Sequence, residues 1–455
     1  MEGQLALAND EAYVAALAVY QDGAFSKSVA VVTLGAPLAV AVPKGTPIDG
    51  VSSDGTKVQG KAYEDNAAGA TEILIQYKTS DSQKNYVGCQ VGANPNPNTE
   101  GCFAASGSMT VDDGAATVTY TYNPLSDNIN KRSIAGFSTG AQKKMYECAN
   151  CPYKTYEKYY NYYGEYDYAN QIVLAAFEGS KTNFKNFNND FGLYGFDGKE
   201  QIIKKGTAYM NTYMYVIREM EDALDDCKEA CTIEDCNDDP VHAWDEAVAF
   251  YTGSLEGTDG SGSGKLSYAL ADKRCGNFKT CGADADSTSG SSNVNLELFK
   301  NFGSGVQKLN KGECTSAKTE KEEIERLLQI PLIQGTLRYA WKTDNEPYSE
   351  KAEAEGTIFA LAILPMVAAC DSGAAQTIAD NLTVGQKGSC DFKAVKAAFE
   401  STYECLGVSS SDIGGLWDSA TGEYYVDAAP MSSAKSVSMA FGAGVAALTA
   451  LTMFL

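Results

Sequence analysis

The stretch CNDDPVHAWDEAVAFYTGSLEG, Cys236 to Gly257, contains His242, the only histidine among 455 residues. Imidazole changes charge near neutral pH and is the commonest nitrogen ligand of protein-bound metals. If this stretch is helical, His242 and Glu246 lie one turn apart on a shared face, with Asp245 beside them. Imidazole and carboxylate at such spacings project together as metal ligands do in helical bundles. The same spacing suits a plain histidine–carboxylate pair on a solvated face. A zinc-protease helix needs a second histidine, which the chain lacks. No nucleophile elbow is read in the sequence, which disfavours a Ser-His-Asp hydrolase.

A second group able to do chemistry is phenolic. Between Met145 and Gln171 stand nine tyrosines, among them Tyr166 and Tyr168 on either side of Asp167. Phenolate and carboxylate are hard oxygen donors suited to a small, highly charged cation such as ferric iron. A structural reading serves most of these residues equally well, with rings packed and hydroxyls at a polar edge. Arg218 or Arg338 could hold a carbonate completing the coordination, although Arg218 also has Asp222 one turn on for an ion pair.

The elements that must position these groups fall into two kinds. From about residue 25 to 130, short β-branched runs (KSVAVVTL, APLAVAVP, TEILIQYK, SMTVDDGAATVTYTY) alternate with turn residues. The Asp-Asp-Gly turn in the last predicts a hairpin. An antiparallel β sandwich is expected there, after an N-terminal segment 1–24. From about 140 to 425 the periodicity is helical, so the fold class is α+β with a mainly α-helical bundle domain. In GTAYMNTYMYVIREMEDALDDC, Met210, Tyr213, Ile217, Met220 and Leu224 form an apolar stripe, with Glu219, Glu221 and Asp222 away from it. Asp-Pro at Asp239–Pro240 predicts the start of the His242 helix, whose apolar stripe is Val241, Trp244, Val248 and Tyr251. Two helix pairs align as degenerate repeats: YMNTYMYVIREM with IQGTLRYAWKTD, and HAWDEAVAF with KAEAEGTIF. In that register Glu246 meets Glu355, Phe250 meets Phe359 and His242 meets Lys351.

Lys and Arg total 36 against 59 Asp and Glu, a net charge of −23. This repels a phosphate backbone, and no basic patch stands out in the sequence, so nucleic acid is excluded as a partner. Thirteen cysteines, grouped locally as Cys89/Cys102, Cys148/Cys151, Cys227/Cys231/Cys236 and Cys275/Cys281, predict disulfides and an oxidising compartment. The odd total leaves one thiol over. The triplet Asn381-Leu382-Thr383 is a glycosylation sequon. Residues 426–455 end in an apolar run from Met439 to Leu455, preceded by small residues at Asp427–Ala429. That pattern predicts a glycolipid-attachment signal or a short membrane anchor. The start, MEGQLALAND, lacks a basic-then-apolar leader, implying further upstream sequence or a processed start.

The segments KKGTAYMNTYMYVIREMEDALDDC, CNDDPVHAWDEAVAFYTGSLEG, LADKRCGNFKTCG, PLIQGTLRYAW and AEGTIFALAILP resemble the phytotransferrin family, the iron-starvation-induced surface proteins of diatoms and the Fe-assimilating proteins of green algae. The resemblance spans roughly residues 155–425. It implies a non-enzymatic cell-surface protein that captures ferric iron with carbonate as synergistic anion and delivers it by endocytosis into vesicles. Its partners would be the membrane, through the C-terminal anchor, and endocytic machinery or an iron-release reductase. The ligand set then expected is His242, Asp245 or Glu246, tyrosinate from Tyr215 or Tyr166, and Glu355, with carbonate on Arg218 or Arg338. The His242 stretch is also distantly similar to the His-x-x-Glu helix of imelysin-type proteins, but the third position here is Asp245. Two other classes remain: an imelysin-like peptidase, and a metal-free surface or adhesion protein.

Overall fold

The computed structural model describes residues 1–22, 29–51, 57–77, 107–112, 117–129, 133–230, 238–253, 264–386 and 389–431. The chain divides into two compact units, Met1–Glu147 with Tyr166–Glu178, and Cys148–Glu165 with Gly179–Leu455.

The first unit contains α1 (Glu2–Leu5), α2 (Asp10–Asp22) and six strands: β1 (Val29–Leu34), β2 (Pro47–Val51), β3 (Lys57–Ala62), β4 (Glu72–Tyr77), β5 (Gly107–Asp112) and β6 (Thr117–Ile129). Short α3 (Gly136–Thr139) follows. The strands are antiparallel and close on themselves in the order β1-β4-β3-β2-β5-β6, so the expected sandwich is instead a barrel. The cause is β6, which is thirteen residues long and pairs with β5 along one part and β1 along the other. Its register against β1 shifts between Ala30 and Val32 and again between Val32 and Leu34. Such irregularities bend a strand and let a sheet curl shut. One core results: Val32, Ile48, Ile73, Ile75 and Met109 are fully buried.

The Asp-Asp-Gly hairpin is present as the β5–β6 pairing, with Asp112 opposite Thr117, although the turn itself lies outside the described residues. APLAVAVP is not a strand. Pro37 and Pro43 cannot donate to a ladder, and the run is tied down by a bridge from Val42 to Asn66 and by Leu38 backbone bonds to Gly69 and Ala70, while Leu38 and Val42 plug the barrel core.

The second unit is helical: α4 (Lys154–Tyr163), α6 (Phe196–Gly206), α7 (Tyr213–Asp226), α8 (Asp238–Thr252), α9 (Ser267–Phe278), α10 (Asn293–Asn310), α11 (Cys314–Asn345), α12 (Glu350–Cys370), α13 (Ser372–Leu382), α14 (Phe392–Leu406) and α15 (Ser410–Ile413), closed by a two-residue hairpin, β7 (Trp417–Asp418) with β8 (Glu423–Tyr424). The helix α5 (Tyr168–Glu178) belongs to the first unit. A π-helical turn, Thr207–Thr212, joins α6 to α7 without a break.

At the centre is α12, buried continuously from Glu353 to Val367. It is long and apolar enough to cross a membrane, with a mean hydropathy of 1.5, yet 83% of that window is covered by the rest of the unit. A helix apolar all round is expected either in a membrane or in the middle of a protein. Gly335 on α11 lets α12 approach closely, because a Cβ there would sit 2.6 Å from a ring carbon of Phe359.

Pro365 stands inside α12 and has no N–H for the carbonyl of Leu361 four residues back. The tyrosine-rich α4 supplies the missing donor. Tyr163 donates its hydroxyl to the Leu361 carbonyl at 2.5 Å, and Tyr159 donates to the Ala362 carbonyl at 2.7 Å. Both phenols are buried, so these bonds are made away from water.

Disulfides join Cys148–Cys151, Cys227–Cys314, Cys275–Cys281 and Cys370–Cys405. Two local groupings are therefore found as expected, whereas Cys227 reaches across 87 residues to Cys314 rather than to Cys231 or Cys236. The latter two, with Cys89 and Cys102, lie outside the described residues, and so do the apolar C-terminal residues 432–455. Cys390 is a free, buried thiol. In the sequon, Asn381 already donates Nδ2 to the Thr377 carbonyl at 2.9 Å and accepts the Asp391 N–H at 2.6 Å.

Candidate metal and anion sites

The sequence-nominated residues fall at three separate places. On α8 the predicted stripe is real: Trp244 and Tyr251 are buried, Val241 and Val248 partly so. Trp244 donates Nε1–H to the Phe302 carbonyl at 3.0 Å and lies directly on Gly305 of α10. That anchoring turns His242, Asp245 and Glu246 outward, and all three are exposed. His242 Nε2 lies 3.4 Å from Asp238 Oδ1, one turn back, with both side chains well over half exposed.

Facing α8 is α7, which contributes Tyr215, Arg218 and Glu219. Tyr215 is buried, edge-to-face with Phe250 at 5.2 Å between ring centres. The Arg218 guanidinium lies 5.6 Å from the Tyr215 ring centre. It also donates to Glu219 at 2.6 Å and pairs with Asp222 at 3.0 Å. Glu219 was expected on the polar side, but it is buried at 2% exposure because Tyr215 and Glu219 are one turn apart and share the face toward α8. Its Oε1 has no hydrogen-bond partner among the described residues.

Burial, then the neighbouring Glu219 charge, pushes the Tyr215 phenol up to about 12, with Glu246 adding to the effect. Burial also raises the Glu219 carboxyl, against the pull of Arg218, and Glu246 raises it further. Burial alone would lower Arg218, but Glu219 and Asp222 outweigh it and hold the guanidinium more firmly charged. Tyr215, Glu219 and Glu246 are therefore three oxygen donors acting on one another. Sequence reading missed Glu219, for which the usable signal was its spacing from Tyr215.

The second place is centred on α9, α11 and α12. Glu355 is buried and accepts Lys205 Nζ at 3.0 Å, while its Oε2 has no hydrogen-bond partner among the described residues. Arg274 is buried at 2% exposure, with neither Nε nor Nη1 hydrogen-bonded among the described residues. Arg274 and Arg338 both lie against the Tyr339 ring, their guanidinium carbons 5.7 and 5.2 Å from its centre, and Arg274 is also 5.9 Å from the Phe359 ring centre. Burial, and then the Arg338 charge, pulls Arg274 down to about 10. Arg338 also lines a cleft of about 200 Å³ with Asn277, Trp341, Glu346, Trp417 and Tyr425. Nothing in the segment LADKRCGNFKTCG taken as sequence assigns Arg274 a role. Its place is legible, however: Leu270 and Phe278 stand four residues to either side, placing a cation on an apolar stripe.

The third place is Tyr166 in the first unit, in edge contact with Tyr146 at 5.1 Å. Among the described residues no three His, Cys, Asp or Glu converge as a metal-binding group. The letters Gly-x-Ser-x-Gly do occur, at Gly136–Gly140. Ser138 there is buried within α3 and its Oγ accepts the Asn170 N–H at 3.2 Å, so this is a helical turn and not a nucleophile elbow.

The aromatic contact Tyr215–Phe250 of the α7/α8 pair stands where Tyr339–Phe359, at 5.8 Å, stands in the α11/α12 pair under the register noted above. Against known families, residues 134–429 match the one described as low iron-inducible periplasmic protein. The match covers well over half of the chain, which therefore belongs to that family and is related to the phytotransferrins. Curated proteins and solved structures give no match.

Proposed function

We propose that this protein binds ferric iron at the cell surface, together with carbonate, for non-reductive uptake by endocytosis, and that it binds rather than catalyses. The observation that carries this is the family match over residues 134–429, whose name ties its members to low iron and to the periplasm. Four disulfides among the described residues agree with an oxidising compartment.

The ferric donors in this reading are Tyr215, Glu219 and Glu246, with His242 and Asp245 along the same exposed face of α8. Two carboxylates and a phenolate suit a hard trivalent cation better than any thiolate set. Arg218, already against Tyr215 and Glu219, holds the carbonate. Approach of a cation is favoured by carboxylates at the end of α7: the Asp226 carboxyl is raised by burial and then by Asp222, Asp239 and Asp225. Glu355, bonded to Lys205, and Tyr166 are left out of the set.

Ferric loading of the chelator-treated protein with carbonate present is expected to produce a visible phenolate-to-iron absorption band, lost in Tyr215→Phe. A band that survives in Tyr215→Phe would move the site elsewhere. Loss of binding without carbonate, and weakening in His242→Ala, are the further expectations.

The pH dependence has a definite sign. The Tyr215 phenol is protonated in the iron-free protein at neutral pH, since it is pushed up to about 12, and iron must displace that proton. Affinity then falls as pH falls, by about tenfold per pH unit for each proton displaced. Equilibrium binding against a competing chelator between pH 8 and pH 5, roughly the span in which neutral ligands protonate, reads the slope. A flat profile would refute tyrosinate coordination.

A further inference from the structure

We propose that the cleft between α9, α11 and the β7–β8 hairpin binds a neutral pyranose ring, as a free sugar or as one unit of a glycan. The proposal does not rest on the ferric reading, whose donors lie on α7 and α8, and it requires no iron.

The cleft forms where the chain returns over two helices after α15. Gln334 of α11 donates Nε2–H to the Ile413 carbonyl at 2.9 Å, and the Gly415 N–H donates to the Phe278 carbonyl, at the end of α9, at 3.3 Å. Gly415 has no room for a side chain, since a Cβ would lie 2.6 Å from Pro430 and 2.7 Å from the Ala428 carbonyl oxygen. These ties hold the hairpin against both helices and leave a cleft of about 200 Å³. Sites for drug-sized ligands run to roughly 300–1,000 Å³, so this one suits a single ring.

Trp341, Trp417 and Tyr425 line the cleft, and the chain has only three tryptophans in all. Each of these side chains is half-buried, and large aromatic side chains left partly open to water are favoured anchors of binding surfaces. Their rings are held in place. Those of Trp341 and Tyr425 lie 4.2 Å apart between centres, and Trp341 gives its one donor to the Val426 carbonyl at 3.2 Å. Trp417 is edge-to-face with Tyr424 at 5.0 Å, and Lys279 Nζ stands 4.4 Å from its ring centre. What the tryptophans offer a ligand is carbon surface with a negative π face, which suits the slightly positive C–H groups on the face of a sugar ring.

The polar lining narrows the choice. Asn277 Oδ1 is buried and has no hydrogen-bond partner among the described residues. Arg338 rests against the Tyr339 ring and has no hydrogen bond or ion pair with a described residue. Lys342 and Glu346 pair with each other at 2.6 Å, and Asp418 accepts the Ala420 N–H and the Thr421 hydroxyl, each at 2.9 Å. Two cations and two carboxylates therefore line the cleft, and in a chain of net charge −23 this place is locally balanced. Its ligand must donate to Asn277 Oδ1 and accept from Arg338 while carrying no net charge. Hydroxyl groups do both, and a pyranose carries several around a face of C–H groups. An anion would gain Arg338 but would also meet Glu346 and Asp418.

The test uses the full chain, treated with chelator, and reads tryptophan fluorescence and calorimetric titration with the methyl glycosides of glucose, mannose and galactose in separate arms. At least one is expected to bind saturably with a Kd on the order of a millimolar, the scale for a ligand of about a dozen non-hydrogen atoms. Sorbitol, which has the hydroxyls without the ring, should not bind, and glucuronate should bind no more tightly than the glucoside. Trp341→Ala and Asn277→Ala should each weaken the preferred glycoside by about tenfold, and Trp341→Phe should recover part of the loss. An oligosaccharide of the preferred sugar that binds more tightly than its methyl glycoside identifies a glycan chain as the source, and equal affinity identifies a free or terminal sugar.

No saturable response to any of the glycosides in the folded wild-type protein would overturn the proposal. Sorbitol binding as tightly as the glycosides would reveal a nonspecific polyol contact, and glucuronate binding more tightly than the glucoside would reveal selection for anions; either result overturns it. So would wild-type affinity in both Trp341→Ala and Asn277→Ala, folded by circular dichroism. Because iron is absent throughout, failure here leaves the ferric reading on α7 and α8 untouched, and failure of ferric binding leaves this site standing.

Discussion

Replacing Cys227 and Cys314 together by serine is expected to cost about 4–5 kcal/mol of stability, the loop-closure entropy of a cross-link spanning 87 residues. For a unit of this size that is a fall in melting temperature on the order of 10 °C. The bond sits at a mechanically important place. Cys227 directly follows the last residue of α7, the helix bearing Tyr215, Arg218 and Glu219, and Cys314 opens α11, the helix bearing Arg338. Changing both cysteines avoids a lone thiol that would exchange with the other three disulfides among the described residues. Calorimetry of the double variant against wild type, both without reductant, gives the number. An unchanged midpoint would mean that the unfolded chain is already held compact by other contacts.

The second large effect is expected at Trp244. Its side chain is fully buried, its indole N–H is bonded to the Phe302 carbonyl, and its ring is edge-to-face with Phe302 at 6.5 Å. Truncation to alanine removes about 3–5 kcal/mol, the usual range for a buried aromatic. The loss should reach beyond stability. Trp244 fixes the rotation of α8 about its axis, so Trp244→Ala is expected to weaken ferric binding although the residue touches no ligand. Trp244→Phe, which keeps a ring over Gly305, should recover part of both. Chemical denaturation and ferric titration of the two variants separate the effects. If Trp244→Ala destabilises but binds iron with wild-type affinity, the orientation of α8 is not what presents Glu246 and His242.

How much of this was legible in the sequence depended on the range of the interaction concerned. The α8 start at Asp-Asp-Pro, its apolar stripe and the long helices α11 and α12 follow from local spacing, which a helix translates directly into faces. Tyr215 and Glu219 follow the same rule, yet Glu219 was assigned to solvent because glutamate is rarely buried. Arg274 was passed over for the same reason. Buried charge is the case in which composition argues against geometry, and a site is where that conflict is expected to arise. What local spacing does not encode is closure. Sandwich and barrel use the same alternating strands, and only the length and irregular register of β6 decide between them. The partner of Cys227 was likewise set by the packing of α7 on α11 and not by the cysteines nearest in the chain.

The proline in α12 has a consequence for how the helical unit assembles. The carbonyls of Leu361 and Ala362 receive their hydroxyl donors from Tyr163 and Tyr159, residues 198 and 203 positions away in the chain. Until those distant parts of the chain meet, the central helix keeps an unsatisfied carbonyl in its most apolar stretch. Its formation is thus tied to contacts of long sequence separation, which form slowly because the intervening chain must first be closed. A fragment starting at α6 would contain every residue of the central helix and both nominated sites but would lack the two hydroxyls. The smallest autonomous piece of the helical unit therefore begins no later than α4, well before the first residue nominated on α7.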